Sequence, residues 1–480
     1  MKRFWFVLLS LGLLMAFSAS AFAVDVKVSG EYYAAGLYLD KTSVNAGYSY
    51  EPYDNPSTAF FFQRLRVGTD FVVSPCLKLV TRFDALERIW GGGRSDVDYD
   101  NPGYVGTWAN YTNWSAGTRA EKENIAFDVM YIDYTSPIGL FRVGYMPDYN
   151  FGTDFADEGN RLYNGQIEYI IKKGPFIGGL SYSKVSEKNW SYLPASTSLV
   201  DTDYDSYRVF GIYEFNTAKA KGEAGVLFLY DRNATNKANS YPFGYLQNVY
   251  VIDPYVKAKI GPVDLQAEAL YYWGDAAKWE DNSPAGDVSI SAWSAFVDAT
   301  ATFGPVYVGG TFAYLSGDNP GTNDKLEGSG ALGPVNTAGA NYNPCLILFN
   351  TETLGYWVGD IDGHTNSIVN NQMSNALFFQ GRVGVKPTPQ WDILLSLSYA
   401  VADQKPANPY NPHSGRTYAN GTYGTEVDLT ATYKITNNLS YMIGGGYLFT
   451  GDYFKGFDRA GQGYEIDDDY MLINKLTLSF

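Results

Sequence analysis

The feature that most limits the fold is a repeated unit, a run of about ten residues alternating apolar with polar or small side chains, then a connection that is by turns short and long. The short connections fall at Ser74-Pro75-Cys76, Ser136-Pro137-Ile138-Gly139, Lys173-Gly174-Pro175, Asn216-Thr217, Gly261-Pro262, Gly304-Pro305, Pro387-Thr388-Pro389-Gln390 and Thr436-Asn437-Asn438. Each carries residues whose backbone preferences suit a reversal. The long ones lie at about 39–58, 91–122, 148–161, 187–202, 232–246, 274–286, 317–374, 404–422 and 451–467. Together they divide the chain into eighteen strands, with sixteen as the alternative count. Both ends then lie on the short-turn side.

Period two places alternate side chains on opposite faces, as in Asp264-Leu265-Gln266-Ala267-Glu268-Ala269 or Glu426-Val427-Asp428-Leu429-Thr430-Ala431-Thr432-Tyr433. A soluble sandwich would show the same alternation in any one strand. The start of the chain adds a discriminating feature. Lys2 and Arg3 precede an apolar run from Phe4 to Phe17, and Ala21-Phe22-Ala23 offers a small-x-small cleavage site. Residues 1–23 are therefore expected to be a removed export signal and residues 24–480 a single barrel. The net charge of −16 becomes two units more negative on their loss, which argues against a nucleic-acid partner. No later run of about 18 apolar residues could span a bilayer as a helix. Aromatic residues nevertheless make up 16% of the chain, with 41 Tyr, the chemistry of strands whose ends sit at a membrane interface.

The last strand, Tyr470-Met471-Leu472-Ile473-Asn474-Lys475-Leu476-Thr477-Leu478-Ser479-Phe480, resembles the terminal signature of bacterial outer-membrane proteins. In that family a C-terminal Phe with alternating apolar residues before it, here Phe480, Leu478, Leu476 and Leu472, is read by the barrel-assembly machinery. Asn474 breaks the alternation once. The fold class expected is all-β, a transmembrane antiparallel up-and-down β-barrel. Because an unpaired edge in hydrocarbon leaves backbone groups without partners, this strand should close on Val26-Lys27-Val28-Ser29-Gly30-Glu31-Tyr32.

With apolar exteriors, the polar positions of each strand should line the lumen. Arg64, Arg66 and Asp70 share a face, and a turn at 74–76 puts Arg66 opposite Asp84, with Arg82 and Arg88 as diagonal neighbours. The acidic loop Asp148-Tyr149-Asn150-Phe151-Gly152-Thr153-Asp154-Phe155-Ala156-Asp157-Glu158-Gly159-Asn160 follows Arg142-Val143-Gly144-Tyr145-Met146-Pro147, a placement that resembles the general bacterial porin family. There the third long loop enters the lumen and faces wall arginines. The resemblance implies that Asp154, Asp157 and Glu158 oppose Arg64, Arg66 and Arg82 at a constriction, with a transverse field that orients solutes. It also implies a homotrimer, in contact with outer-membrane lipid and lipopolysaccharide. The competing reading is structural: such pairs merely satisfy polar groups on a wet wall, as do Lys78, Arg208, Lys257, Lys259, Arg382 and Lys386 with Asp128, Glu168, Glu214, Asp253, Asp264, Glu268, Glu426 and Asp428.

The third loop is short for a wide barrel, so segment 317–374 is a second candidate to narrow the pore. Its apolar stretch Pro344-Cys345-Leu346-Ile347-Leu348-Phe349 should pack either inside the mouth or against a neighbouring subunit. The mouth acids Glu465, Asp467, Asp468 and Asp469 lack the spacing of a calcium loop and read first as a solvated charge run, with cation bridging to lipopolysaccharide the alternative. No cofactor, metal centre or catalytic apparatus is expected. Cys76 and Cys345 form no framework, His364 and His413 sit in long loops without a nucleophile motif, and Gly91-Gly92-Gly93 precedes no helix. Passive diffusion of small hydrophilic solutes is the first functional expectation. A substrate-specific channel for sugar, carboxylate or phosphate, with loop aromatics such as Trp108 and Trp114 stacking on sugars, is the second. A barrel sheathing a partner protein is the third.

Overall fold

Eighteen strands joined by eight tight turns and nine long connections form one antiparallel barrel in the computed structural model. The structure describes residues 24–46, 57–91, 125–147, 151–156, 163–187, 202–237, 244–279, 283, 286–329, 338–359, 361, 371–405, 417–418, 421–457 and 465–480. Residues 1–23, expected to be an export signal, and Trp108, Trp114, Asp157, Glu158, His364 and His413 lie outside them. The strands are β1 (Asp25–Leu39), β2 (Thr58–Ser74), β3 (Leu77–Ile89), β4 (Ile125–Ser136), β5 (Gly139–Pro147), β6 (Tyr163–Lys173), β7 (Phe176–Ser186), β8 (Tyr204–Asn216) and β9 (Ala220–Asn233). They continue as β10 (Tyr245–Ile260), β11 (Val263–Trp279), β12 (Val288–Phe303), β13 (Val306–Leu315), β14 (Ala376–Val385), β15 (Trp391–Ala402), β16 (Thr422–Lys434), β17 (Leu439–Thr450) and β18 (Asp469–Ser479). Each pairs with its neighbour in sequence, and every turn named from the sequence falls between two of them. A two-residue strand, Lys325–Leu326, runs parallel to β12 at the mouth.

Closure joins β18 to β1 from Glu31↔Ser479 to Leu39↔Met471, and Gly30 and Phe480 exchange backbone hydrogen bonds of 2.8 and 3.0 Å. The turn-side start of β1, Asp25 to Gly30, pairs with β2. From Gly30 to Asp40 this ladder closes the seam, as strands in hydrocarbon require. The outer face is the apolar one: Ile132, Ile167, Leu180, Val209, Leu397, Leu429, Ile443 and Leu472 are all exposed. A continuous apolar exterior of this kind needs lipid rather than water around it. Among the described residues no helix is long and apolar enough to cross a membrane.

The inner face divides in two. On the turn side it is polar and ion-paired, as the alternation predicts. On the loop side the inward positions are apolar: Leu37 and Leu39, Leu227 and Leu229, Val249 and Val251, Leu270 and Tyr272, and Ala313 and Leu315 are buried. Water cannot cover them, so segments of the long connections do. Residues of the third loop and of the connection between β13 and β14 fold into the barrel and share one core with these strands.

Candidate functional site: the lumen wall and its two inserted loops

The tight turn between β2 and β3 sets a register in which Arg66 stands opposite Asp84. The guanidinium grips the carboxylate in bidentate fashion, Nε to Oδ1 at 2.7 Å and Nη2 to Oδ2 at 2.8 Å. Arg82 donates to Asp128 on β4 at 2.7 Å, also donates to the Tyr163 hydroxyl, and has its Cζ 4.9 Å from that ring centroid. Arg64 reaches Glu87 at 3.7 Å and lies 5.1 Å from the Tyr33 ring, against which Lys475 also packs at 4.5 Å. Three guanidinium groups thus meet three carboxylates on β3 and β4. Local charge is balanced, so the patch acts as a row of fixed dipoles more than as a bare positive wall.

Arg88 is not part of this row. A bulge at Leu86, which takes φ +52°, shifts the β2–β3 register between Gln63 and Leu65, so that Glu87 takes the inward place beside Arg64. Arg88 is then in register with Gln63, on the opposite face from Arg64 and Arg66. No local residue type announced that bulge.

On the opposite wall Arg382 of β14 reaches across β13 to Asp298 of β12, with Nη1 to Oδ2 at 2.6 Å and Nη2 to Oδ1 at 2.8 Å, and donates to Thr311 at 2.7 Å. Below these clusters, toward the turns, runs a belt of more exposed pairs. Lys78–Asp70 (2.9 Å), Arg142–Glu168 (3.3 Å), Lys259–Asp264 (2.8 Å) and Lys386–Asp392 (3.3 Å) link adjacent strands or their turn, and Lys172–Glu214 (2.7 Å) reaches across β7 from β6 to β8.

One wall glutamate anchors each inserted loop. The Thr153 amide donates to Glu268 at 3.1 Å, and the Thr153 hydroxyl donates to the same oxygen. Gly152 makes this approach tenable: it takes φ +91°, and a Cβ there would stand 1.7 Å from a Glu268 oxygen. Asp154 exchanges hydrogen bonds with Gln266 on β11 (3.1 and 2.7 Å), so it lies about half a barrel turn from the arginines. Phe155 stacks on Phe296 with centroids 5.1 Å apart.

The second anchor is Glu426 on β16, which accepts the amides of Ile347 and Leu348, each at 2.7 Å. Phe349 packs against Tyr423 at 5.3 Å and Trp357 against Phe62 at 4.7 Å, carrying the segment across to β2. The two loops touch through Phe155 and Tyr342, 5.8 Å apart. The apolar stretch 344–349 therefore packs inside the mouth, the first of the two placements open from sequence, and both loops narrow it. Glu268 and Glu426 were legible only as lumen charges. The apolar partners had a stronger signal, since Val226-Leu227-Phe228-Leu229 and Val249-Tyr250-Val251-Ile252 are unbroken apolar runs, which mean cover on both faces.

An antiparallel barrel closed on itself, apolar outside and ion-paired within, defines the class: an integral β-barrel of the bacterial outer membrane. Within that class the chain has the porin fold. It superposes on OccK9 (OpdG) of Pseudomonas aeruginosa with a TM-score of 0.51 at 12% identity, over 96% of this chain and 100% of that one. Outer membrane protein OpdK of the same organism matches with a TM-score of 0.48 at 10% identity over 95% and 99%, and an anion-selective porin from Comamonas acidovorans with 0.42 at 10% over the same shares. No family model matches the sequence, and no curated protein does.

Proposed function

We propose that this barrel is a passive channel for small hydrophilic solutes and ions, with its narrow zone between the β2–β4 arginine row and the two inserted loops. The observation that carries the reading is the ion-paired inner wall, which runs from the turn-side belt up to Arg64, Arg66 and Arg82. Such a wall keeps water and small ions in the lumen and penalises apolar solutes. In this reading Asp154, Asp157 and Glu158 supply the acidic side of the narrow zone, Asp84 lines the arginine side in its pair with Arg66, and residues 1–23 are removed on export. The mature barrel is delivered by the assembly machinery through the Phe480 signature and stands as a trimer among lipid and lipopolysaccharide.

A substrate-specific channel is the second reading. It is favoured by how much of the mouth the chain's own loops occupy, which leaves a route suited to one small solute class. The same occupation speaks against a sheath around a partner protein. The decisive experiment is conductance of the refolded barrel in a planar bilayer under a salt gradient, beside a variant with Arg64, Arg66 and Arg82 all changed to Ala. Ohmic steps in the wild type, and a reversal potential shifted toward cations in the variant, support the reading. A barrel that passes no current sinks it, while saturable block by one solute moves it to the second.

A further inference from the structure

Where segment 316–375 meets the wall, Cys345, Glu426 and Asp428 bring one thiol and two carboxylates together, with ligand atoms all within 4.8 Å of one another and all three residues buried. Acids this close, with no cation among them, are costly to bury. Among the described residues no lysine or arginine forms an ion pair with either carboxylate. The amides of Ile347 and Leu348 take one lone pair from each Glu426 oxygen and leave the second. Asp428 is only 5% exposed, yet its Oδ1 has no hydrogen-bond partner.

That oxygen lies against a glycine. A Cβ built on Gly446 would stand 2.6 Å from Asp428 Oδ1 and 3.3 Å from Glu426 Oε1. Any side chain there would collide with the Asp428 carboxylate and press on Leu346 Cβ, 3.1 Å away, so only glycine leaves these acids their room. We propose that Cys345, Glu426 and Asp428 form a divalent-metal site of zinc type, which staples the inserted loop to β16. One thiolate with two carboxylates suits that borderline ion, whose bonds of about 2.0–2.3 Å need ligands closer than 4.8 Å, a change within reach of side-chain rotation. Binding releases the thiol proton to solvent, and the dication offsets the buried negative charge.

The test uses the full barrel, refolded with Zn²⁺ or Cd²⁺ and then gel-filtered. The site predicts one metal per chain by elemental analysis and, for Cd²⁺, an ultraviolet sulfur-to-metal charge-transfer band. Cys76→Ser keeps both, while Cys345→Ser loses the band and at least tenfold in affinity. Asp428→Asn, nearly isosteric and checked for folding by heat-modifiable gel mobility, also loses at least tenfold. No retained metal in the wild type overturns the site, as does a band that disappears with Cys76→Ser or survives Cys345→Ser.

Discussion

Arg66 and Asp84 face each other across the β2–β3 hairpin as a planar two-bond pair, with side chains only 19% and 11% exposed. Removing one partner strands the other in a partly desolvated wall. Asp84→Asn should cost about 2–3 kcal/mol of barrel stability, less than the 3–5 kcal/mol typical of fully buried pairs because some water reaches both groups. Urea titration of the refolded barrel measures the loss. In the same variant the freed guanidinium should move the reversal potential toward anions, and an unchanged potential would place the pair outside the conducting path.

Glu426 holds the inserted segment by backbone amides, so its removal should be felt at those amides. In Glu426→Ala, hydrogen exchange at Ile347 and Leu348 is expected to quicken by at least tenfold, while β16 strand amides change little. Conductance steps should become larger or noisier as the loop loosens. Equal protection in variant and wild type would mean that the packing of Phe349 and Trp357 holds the loop without Glu426.

The seam gives an assembly prediction. Deleting Phe480 removes two backbone hydrogen bonds to Gly30 and an apolar ring from the outer face. The fraction of refolded protein that shows compact, heat-modifiable migration should fall several-fold, and Phe480→Trp should restore most of it. A deletion that folds as well as the wild type would show that the β1–β18 ladder closes without its last residue.

The two cysteines should differ in reactivity. Cys76 is exposed in a turn and Cys345 is buried, and burial, helped by the nearby Glu426 and Asp428, pushes the Cys345 thiol well above its ordinary value of 9.0. In metal-free folded barrel a maleimide should label Cys76 alone, with Cys345 modified only after unfolding. Because the folded state favours the protonated thiol, this contribution to stability is intact below pH about 9 and is lost as pH rises above it, when the unfolded chain ionises first. Cys345→Ser should therefore flatten the decline in stability between neutral and alkaline pH.

Much of this architecture was legible in the residues, and the failures have identifiable causes. Ser74-Pro75-Cys76 fixed a tight reversal, and from it the Arg66–Asp84 register followed by counting outward. Arg88 went astray because Leu86 adopts a bulge that its side chain does not advertise. The inward faces of β9 and β10 were expected to be polar, since alternation was extended along whole strands. Their unbroken apolar runs showed that something covers them, but not that the cover is an inserted loop, Phe151 of which packs on Phe210 and Tyr255. The pairing of Glu268 with Thr153 had no sequence cue except Gly152, whose tolerance of a crowded, left-handed backbone is visible only once the carboxylate stands beside it.

The divided interior has a consequence for how the barrel answers its medium. Salt screens the charged lower storey within a Debye length of roughly 8–10 Å and weakens the stitching between neighbouring strands there. Salting-out anions strengthen the oily upper storey, where the loops are seated. Raising sulfate should thus loosen the ion pairs of the turn-side belt while seating the inserted loops more firmly on the loop-side wall, so one bath composition acts on the two storeys in opposite senses.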